Sequence, residues 1–232
     1  MTTSSKGNAV LIGASGGIGG ALLTALIAQN GYDQLLPLSR SSAPPLDLLN
    51  EESIAEAASW AASQGDIRLV IDATGFLHDA QFQPEKSWKH LDPAHMARAF
   101  AINAAGPALL MKYFLPLLPR EGRSVFATLS AKVGSIGDNE LGGWYSYRAS
   151  KAALNQFVRT AAIELRRRSP EAICVSLHPG TVETALSSPF HKTGLAVRPP
   201  AEAALALLSV INGLQPHQSG GFYDYTGPPL PW

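Results

Sequence analysis

The chain has 232 residues, enough for one compact domain with a sizeable core. Its 18 basic and 18 acidic side chains cancel to zero net charge, leaving no electrostatic footprint of a nucleic-acid or anionic-membrane binder. A single cysteine, Cys174, excludes an intrachain disulfide and points to a reducing compartment, the cytoplasm.

Apolar runs of strand length alternate with helical stretches from end to end. Residues 9–12 read as the first strand and 17–29 as the first helix, ended by Asn30-Gly31. The stretch from Gly7 to Tyr32 has no charged residue and is long enough to raise a membrane span or a signal peptide. Its glycines, with Asn8 and Ser15, argue instead for a buried strand followed by a buried helix. Residues 34–38 make a second strand, 46–48 lead into a helix near 51–62, and 68–73 form the next strand. Asp92-Pro93 opens a long helix towards Leu118, with Asp92 as its cap. A strand at 124–129, a helix at 144–168 and a strand at 172–177 follow. Arg166-Arg167-Arg168 closes the helix, where cations complement its dipole, and Cys174 is a buried structural thiol. A loop near 185–199, a helix at 201–212 and a strand at 222–225 complete the chain. Such alternation predicts a single α/β domain over 1–232, a doubly wound parallel sheet in three α/β/α layers.

Two motifs carry chemistry. Gly13, Gly17 and Gly19 stand between the first strand and helix: Gly13 permits the bend, Gly17 a close approach of phosphate, and Gly19 close helix packing. The helix N-terminus, with Ser15 and Ile18 in the same turn, then offers amides and a positive dipole end to a dinucleotide pyrophosphate. Far downstream, Tyr147 and Lys151 lie one helical turn apart on one face. An ammonium there favours the phenolate, making tyrosine an acid or base usable near neutrality. Cofactor choice turns on the end of the second strand, where Leu38-Ser39-Arg40-Ser41-Ser42 has no carboxylate. Arg40 can pair with a ribose phosphate, which favours NADP(H), with NAD(H) as the alternative.

With Gly-x-x-x-Gly-x-Gly and Tyr147-x-x-x-Lys151, the whole chain resembles the short-chain dehydrogenase/reductase family in its single-domain form. The run Tyr147-Arg148-Ala149-Ser150-Lys151-Ala152-Ala153-Leu154-Asn155 looks most like the branch of the C-factor signalling protein and sniffer-type carbonyl reductases. The resemblance implies that Tyr147 is the general acid/base and that Lys151 holds the nicotinamide ribose and lowers the phenol's pKa. It implies that Asn103 kinks the long helix and anchors a relay water, and that Asp47-Leu48 brackets the adenine. Gly75 would belong to the cofactor site, in Asp72-Ala73-Thr74-Gly75, which departs from the family's Asn-Asn-Ala-Gly. Pro179 and Gly180 would form the turn from which Val182 and Thr184 meet the nicotinamide carboxamide.

The catalytic serine departs most. The family has Ser-Ser-x-x-Gly, and here Ser130-Ala131-Lys132-Val133-Gly134-Ser135 puts alanine second. Either Ser130 rotates in, or Ser135 substitutes, or the contact is weaker; Ser130 is favoured. His178, a lone histidine at a strand end, reads as a packing or hydrogen-bonding residue, and no metal is expected. The implied activity is NADPH-dependent reduction of a small-molecule carbonyl to an alcohol, with homodimers or homotetramers built on the long helices and the face of Ala152, Ala153, Gln156 and Phe157. The rival, suggested by Ala131, is a regulatory or signalling protein that binds nucleotide with little turnover. An epimerase or dehydratase is a weaker third reading, because little chain follows Gly180 to build a substrate domain. Trp144, Tyr145, Phe76, Leu77, His78, Phe190 and Leu195 are expected to line the substrate mouth, and His191 and Lys192 to lie in its lid.

Overall fold

A computed structural model describes residues 6–190 and 197–232. Six parallel strands form one sheet in the order β2-β1-β3-β4-β5-β6. They are β1 Asn8–Ile12, β2 Leu35–Leu38, β3 Ile67–Asp72, β4 Ser124–Leu129, β5 Ala172–His178 and β6 Phe222–Asp224. Parallel pairs need crossovers, and helices supply them: α1 Gly17–Gln29, α2 Glu51–Ser63, α3 Pro93–Phe100, α4 Gly106–Phe114, α5 Tyr145–Arg168 and α6 Pro200–Gly213.

The burial pattern explains the layers. In β1 every side chain is buried, yet alternate residues serve different cores. Val10 and Ile12 pack with Ile54 of α2, Phe114 of α4 and Val158 of α5, whereas Ala9 and Leu11 pack with Leu22 of α1 and Leu207 of α6. A strand covered on both faces has no room for polar residues, hence the uninterrupted apolar runs. The expectation of a buried α1 needs correction. Only Gly19, Leu22 and Leu26 of that helix are buried, and Ile27 is 62% exposed. Alpha1 lies on the outside of the sheet beside α6, so one stripe suffices; its outer face is uncharged but wet. The uncharged stretch is therefore a strand, a turn and a half-exposed helix.

The long helix predicted after Asp92-Pro93 is divided. The Asp92 carboxylate accepts the amide of His95 at 2.8 Å, as a cap should. Between α3 and α4, residues Ala101–Ala105 form a π turn containing Asn103. The combined stretch Pro93–Leu117 is long and apolar enough to cross a bilayer by composition, but it lies across α5, and Leu110, Met111 and Phe114 enter the core. On α5, Leu154 and Val158 face the core, while Gln156 and Phe157 are exposed, so the outer face is not spent on packing within the chain.

Beta1 has β2 on one side and β3 on the other, so successive connections depart in opposite directions there. In open α/β sheets this switch point, at the carboxyl ends of the strands, is where ligands lie. Leu38, Ile12, Asp72 and Thr128 are in register across the sheet, which brings the loops after β1, β2, β3 and β4 to one edge.

Candidate functional site

The glycine turn after β1 is shaped by close backbone contacts. Gly13 has φ +80°, and a Cβ on it would meet the carbonyl of Ala73 at 3.1 Å. A Cβ on Gly19 would stand 2.1 Å from the Gly13 carbonyl oxygen, a distance no side chain tolerates. One on Gly17 would lie 2.9 Å from Thr184 Cγ2, so the turn after β5 folds over the start of α1. Alpha1 has no side-chain cap at Gly16 and no acidic residue in its first turn. Its leading amides thus face outward with an uncancelled dipole, a place for an anion. Ser15 is exposed beside them and Ile18 is half-buried.

Beyond β2, Arg40 is exposed and forms no ion pair or hydrogen bond among the described residues. Ser42 is tied up, its hydroxyl donating to the carbonyls of Ser39 and Pro44, whereas those of Ser39 and Ser41 bond each other at the surface. Asp47 accepts the amide of Leu49, and Leu48 packs where a Cβ on Gly106 would fall. An uncapped helix start, a free guanidinium and a turn only glycine can form fit a dinucleotide with an extra phosphate.

At the centre of the same edge, α5 presents Tyr147 and Lys151. The ammonium lies 6.0 Å from the tyrosine ring centroid and donates to the Leu129 carbonyl at 2.8 Å. Burial pushes the Lys151 ammonium down to about 8, against the opposing pull of the Asp72 carboxylate. Burial also pushes the Tyr147 phenol up to about 12. This reverses the expected depression of the phenol: desolvation raises it, and the Lys151 ammonium is turned towards Leu129. The Tyr147 phenol is therefore protonated at neutral pH. Gly75 borders the pair, its would-be Cβ 3.8 Å from both Lys151 Nζ and Asn103 Oδ1.

Asn103 is fully buried in the π turn. Its Oδ1 accepts the Phe76 amide at 2.7 Å, and its Nδ2 donates to the Phe76 carbonyl at 2.7 Å and to Ser150 Oγ at 3.1 Å. It therefore clamps the loop after β3 to α5, and it sits in the π turn where the family resemblance implies a kink. Asp72 is equally buried; it accepts from the Thr74 amide and hydroxyl and from Thr128 Oγ1. The departure at Asp72 is a carboxylate that staples β3 to β4.

Both candidate serines are buried. Ser130 is 3% exposed and its Oγ has no partner among the described residues, so it reaches a ligand only by rotating. Ser135 Oγ accepts the Asp138 amide at 3.1 Å, which fixes its oxygen but leaves its proton to donate.

The turn at Pro179-Gly180 follows β5. Gly180 has φ +78°, and the Tyr225 ring fills the space a Cβ would need. Arg198 stacks on that ring at 3.8 Å and donates to its hydroxyl at 2.7 Å. Val182 is buried and bridges to Arg198, and Thr184 faces Gly17. His178 points towards Tyr225, and burial holds its imidazole down to about 4, neutral at ordinary pH. Cys174 is fully buried, its thiol pushed up to about 12, which suits an inert core residue.

Aromatic rings gather over Tyr147. Trp144 lies 6.1 Å from its ring and 5.4 Å from Phe190, and Phe190 lies 5.1 Å from His78. Phe76 and Leu77, expected in this mouth, are buried instead; Phe76 turns inward onto His95 because Asn103 holds its backbone. Leu195, His191 and Lys192 lie outside the described residues. A cleft of about 520 Å³ between α6 and the C-terminal segment, lined by Arg198, Val210, Gln218 and Tyr225, includes no residue of this constellation. No cluster of metal-ligating side chains occurs among the described residues. Sequence reasoning missed Glu85 and His95, which are buried beside the start of α5. A lone Glu after Pro84, in a stretch without periodicity, carries no signal of burial.

The geometry agrees with what comparison with known proteins finds. A family model described as enoyl-(acyl carrier protein) reductase matches residues 21–205. C-signal of Myxococcus xanthus is 41% identical over 143 residues, which span 61% of this chain and 81% of that protein. The NADPH-bound carbonyl reductase from chicken fatty liver superposes with a TM-score of 0.85 over 98% of this chain and 99% of that one, at 24% identity. The carbonyl reductase Sniffer of D. melanogaster superposes at 0.84 over 99% and 100%, at 23% identity. With a matching family model over most of its length and a glycine turn, tyrosine and lysine on one sheet edge, the chain belongs to the short-chain dehydrogenase/reductase family of NAD(P)-dependent oxidoreductases.

Proposed function

We propose that this protein reduces a carbonyl to an alcohol with NADPH, using Tyr147 as general acid. The observation that carries the reading is the convergence of Tyr147, Lys151, Asn103 and Gly75 at the switch-point edge, beside a free helix N-terminus. NADPH, when bound, supplies the hydride. The first turn of α1 would hold the pyrophosphate, Arg40 the ribose phosphate, Asp47 and Leu48 the adenine side, and Gly75, Pro179, Gly180, Val182 and Thr184 the nicotinamide side. Tyr147, protonated at neutral pH, gives its proton to the carbonyl oxygen, and the charged Lys151 stabilises the phenolate left behind. A water near Asn103 returns the proton. Ser130, rotated, would polarise the carbonyl. Trp144, Phe190 and His78 would embrace an apolar or aromatic part of the substrate and keep water out. The exposed face of α5, with Gln156 and Phe157, would pair with a second copy. The balanced charge and buried thiol suit a cytoplasmic protein acting on a small molecule.

The second reading is a nucleotide-binding signalling protein with little turnover. Ala131 in the serine motif favours it, as does the name of the 41% identical relative, C-signal. The deciding experiment titrates NADPH and NADH by tryptophan fluorescence, then follows NADPH oxidation over a panel of aldehydes and ketones. Turnover supports the reductase; tight binding without turnover supports the signalling reading.

Two further outcomes follow from the electrostatics. Arg40→Ala weakens NADPH binding ~10-fold or more while leaving NADH unchanged, since a hydrogen bond to a charged group contributes ~1.5–3 kcal/mol. A matched loss for both cofactors in the fluorescence titration would remove Arg40 from phosphate recognition. The second concerns pH. Lys151 is charged below about 8 and loses its proton above it, taking away the cation that stabilises the phenolate. The kcat/KM for NADPH in the reductive direction is therefore flat at neutral pH and falls as pH rises through that value. A rising or flat alkaline limb would contradict the role given to Lys151.

A further inference from the structure

We propose that Glu85 is a positioning residue for Tyr147, fixing the left-handed entry and first turn of α5; the role in turnover rests on the reductase reading.

Three consecutive residues before α5 are left-handed: Gly142 at φ +63°, Gly143 at +67° and Trp144 at +53°. Glycine adopts this freely, but a tryptophan there is strained and persists only where its surroundings hold it. The holder is Glu85. Its backbone carbonyl accepts the Trp144 amide, and its carboxylate accepts the Ser146 amide at 3.2 Å and the Ser146 hydroxyl. Trp144 and Ser146 bracket Tyr145 immediately before Tyr147, so this one glutamate grips the backbone on which the acid stands. Gly143 is needed for the approach, because a Cβ on it would press on the Glu85 carbonyl at 3.3 Å.

Glu85 is itself immobilised. It is 2% exposed, and His95 Nδ1, on α3, lies 3.4 Å from its carboxylate. The imidazole stacks on Phe82 at 5.1 Å and meets the edge of Phe76 at 6.0 Å. Phe76 is the residue whose backbone Asn103 clamps, and Asn103 also binds Ser150. Ser146 and Ser150 thus fasten α5 on either side of Tyr147, through Glu85 and Asn103 respectively. A buried carboxylate at a helix start also complements the dipole of α5.

The experiment compares wild type, Glu85→Ala and Glu85→Gln by amide hydrogen exchange, NADPH affinity and carbonyl-reduction kinetics. Misplacing a catalytic group by ~1 Å can cost ~10²-fold, so Glu85→Ala is expected to lower kcat ~10–100-fold. NADPH affinity is retained, since Glu85 bonds Trp144, Ser146 and His95 rather than the Gly13–Gly19 turn. Exchange speeds up at the 144–147 amides and stays unchanged over 13–20. Glu85→Gln keeps an acceptor for the Ser146 amide and restores most of the rate, which a generally loosened fold would not do. Unchanged kcat, unchanged exchange at 144–147, or an equal loss in NADPH affinity would each overturn the positioning role. A wild-type chain that oxidises no NADPH would defeat the reductase reading. Exchange at 144–147 then still decides whether Glu85 anchors the entry to α5.

Discussion

Tyr147→Phe is expected to abolish carbonyl-dependent NADPH oxidation while NADPH still binds with wild-type affinity. In the proposed mechanism the phenol delivers the proton, while the Lys151 ammonium stays charged at neutral pH to stabilise the phenolate. Tyr147 is held protonated by its burial, His178 is neutral and turned towards Tyr225, and Ser130 is closed off. Removing a positioned general acid costs ~10²–10⁴-fold, and phenylalanine preserves the ring that Trp144 packs against. Steady-state rates and a fluorescence titration on one sample check both halves. A variant with wild-type turnover would assign the proton to another group and undo the reductase mechanism proposed above.

Gly19→Ala is the second large effect. Its Cβ would fall 2.1 Å from the Gly13 carbonyl oxygen and 3.2 Å from the Ala14 Cα, all backbone, so no side chain can yield. Helix α1 must lift from the turn, and overpacking of this kind costs ~1–3 kcal/mol. For a chain of this size each kcal/mol lowers Tm by ~2–4 °C. Lifting α1 also moves the amides that would hold the pyrophosphate, so NADPH binding is expected to weaken ~10–100-fold, in proportion to the same energy. Thermal melts and NADPH titration measure the two together. Wild-type Tm with wild-type affinity would mean that the turn does not depend on the close approach of Gly19 to Gly13.

Much of this was legible in the sequence because it depends on local rules. Strand and helix alternation follows from periodicity, and the parallel sheet follows from the crossovers. The glycine turn could be read because the need for a missing side chain is written in the residue itself. Asp92 as a cap and Asn30 at the end of α1 are likewise consequences of near neighbours, whereas the distortion at Asn103 was implied by the family resemblance. The pairing of Tyr147 with Lys151 on one face of α5 needs only helical geometry.

Other features depend on which distant segments meet, and no local rule supplies that. The phenol of Tyr147 rises rather than falls because burial is a property of the assembled site, in which the lysine is drawn to Leu129. Alpha1 is half-exposed because it needed only one stripe against the sheet, a choice invisible in a run of uncharged residues. Phe76 turns inward and Trp144 outward over Tyr147, although both are aromatic residues near the site, because Asn103 and Glu85 hold their backbones. The Asp72–Thr128 staple, the Arg198–Tyr225 support beneath Gly180 and the Glu85–Ser146 grip each join residues far apart in the chain. The sequence by itself determined the family, the sheet and the tyrosine–lysine pair, because these follow from motif and spacing. Only the tertiary structure decided the protonation of that pair and what holds it in place, because desolvation and long-range hydrogen bonds exist only once the chain has closed.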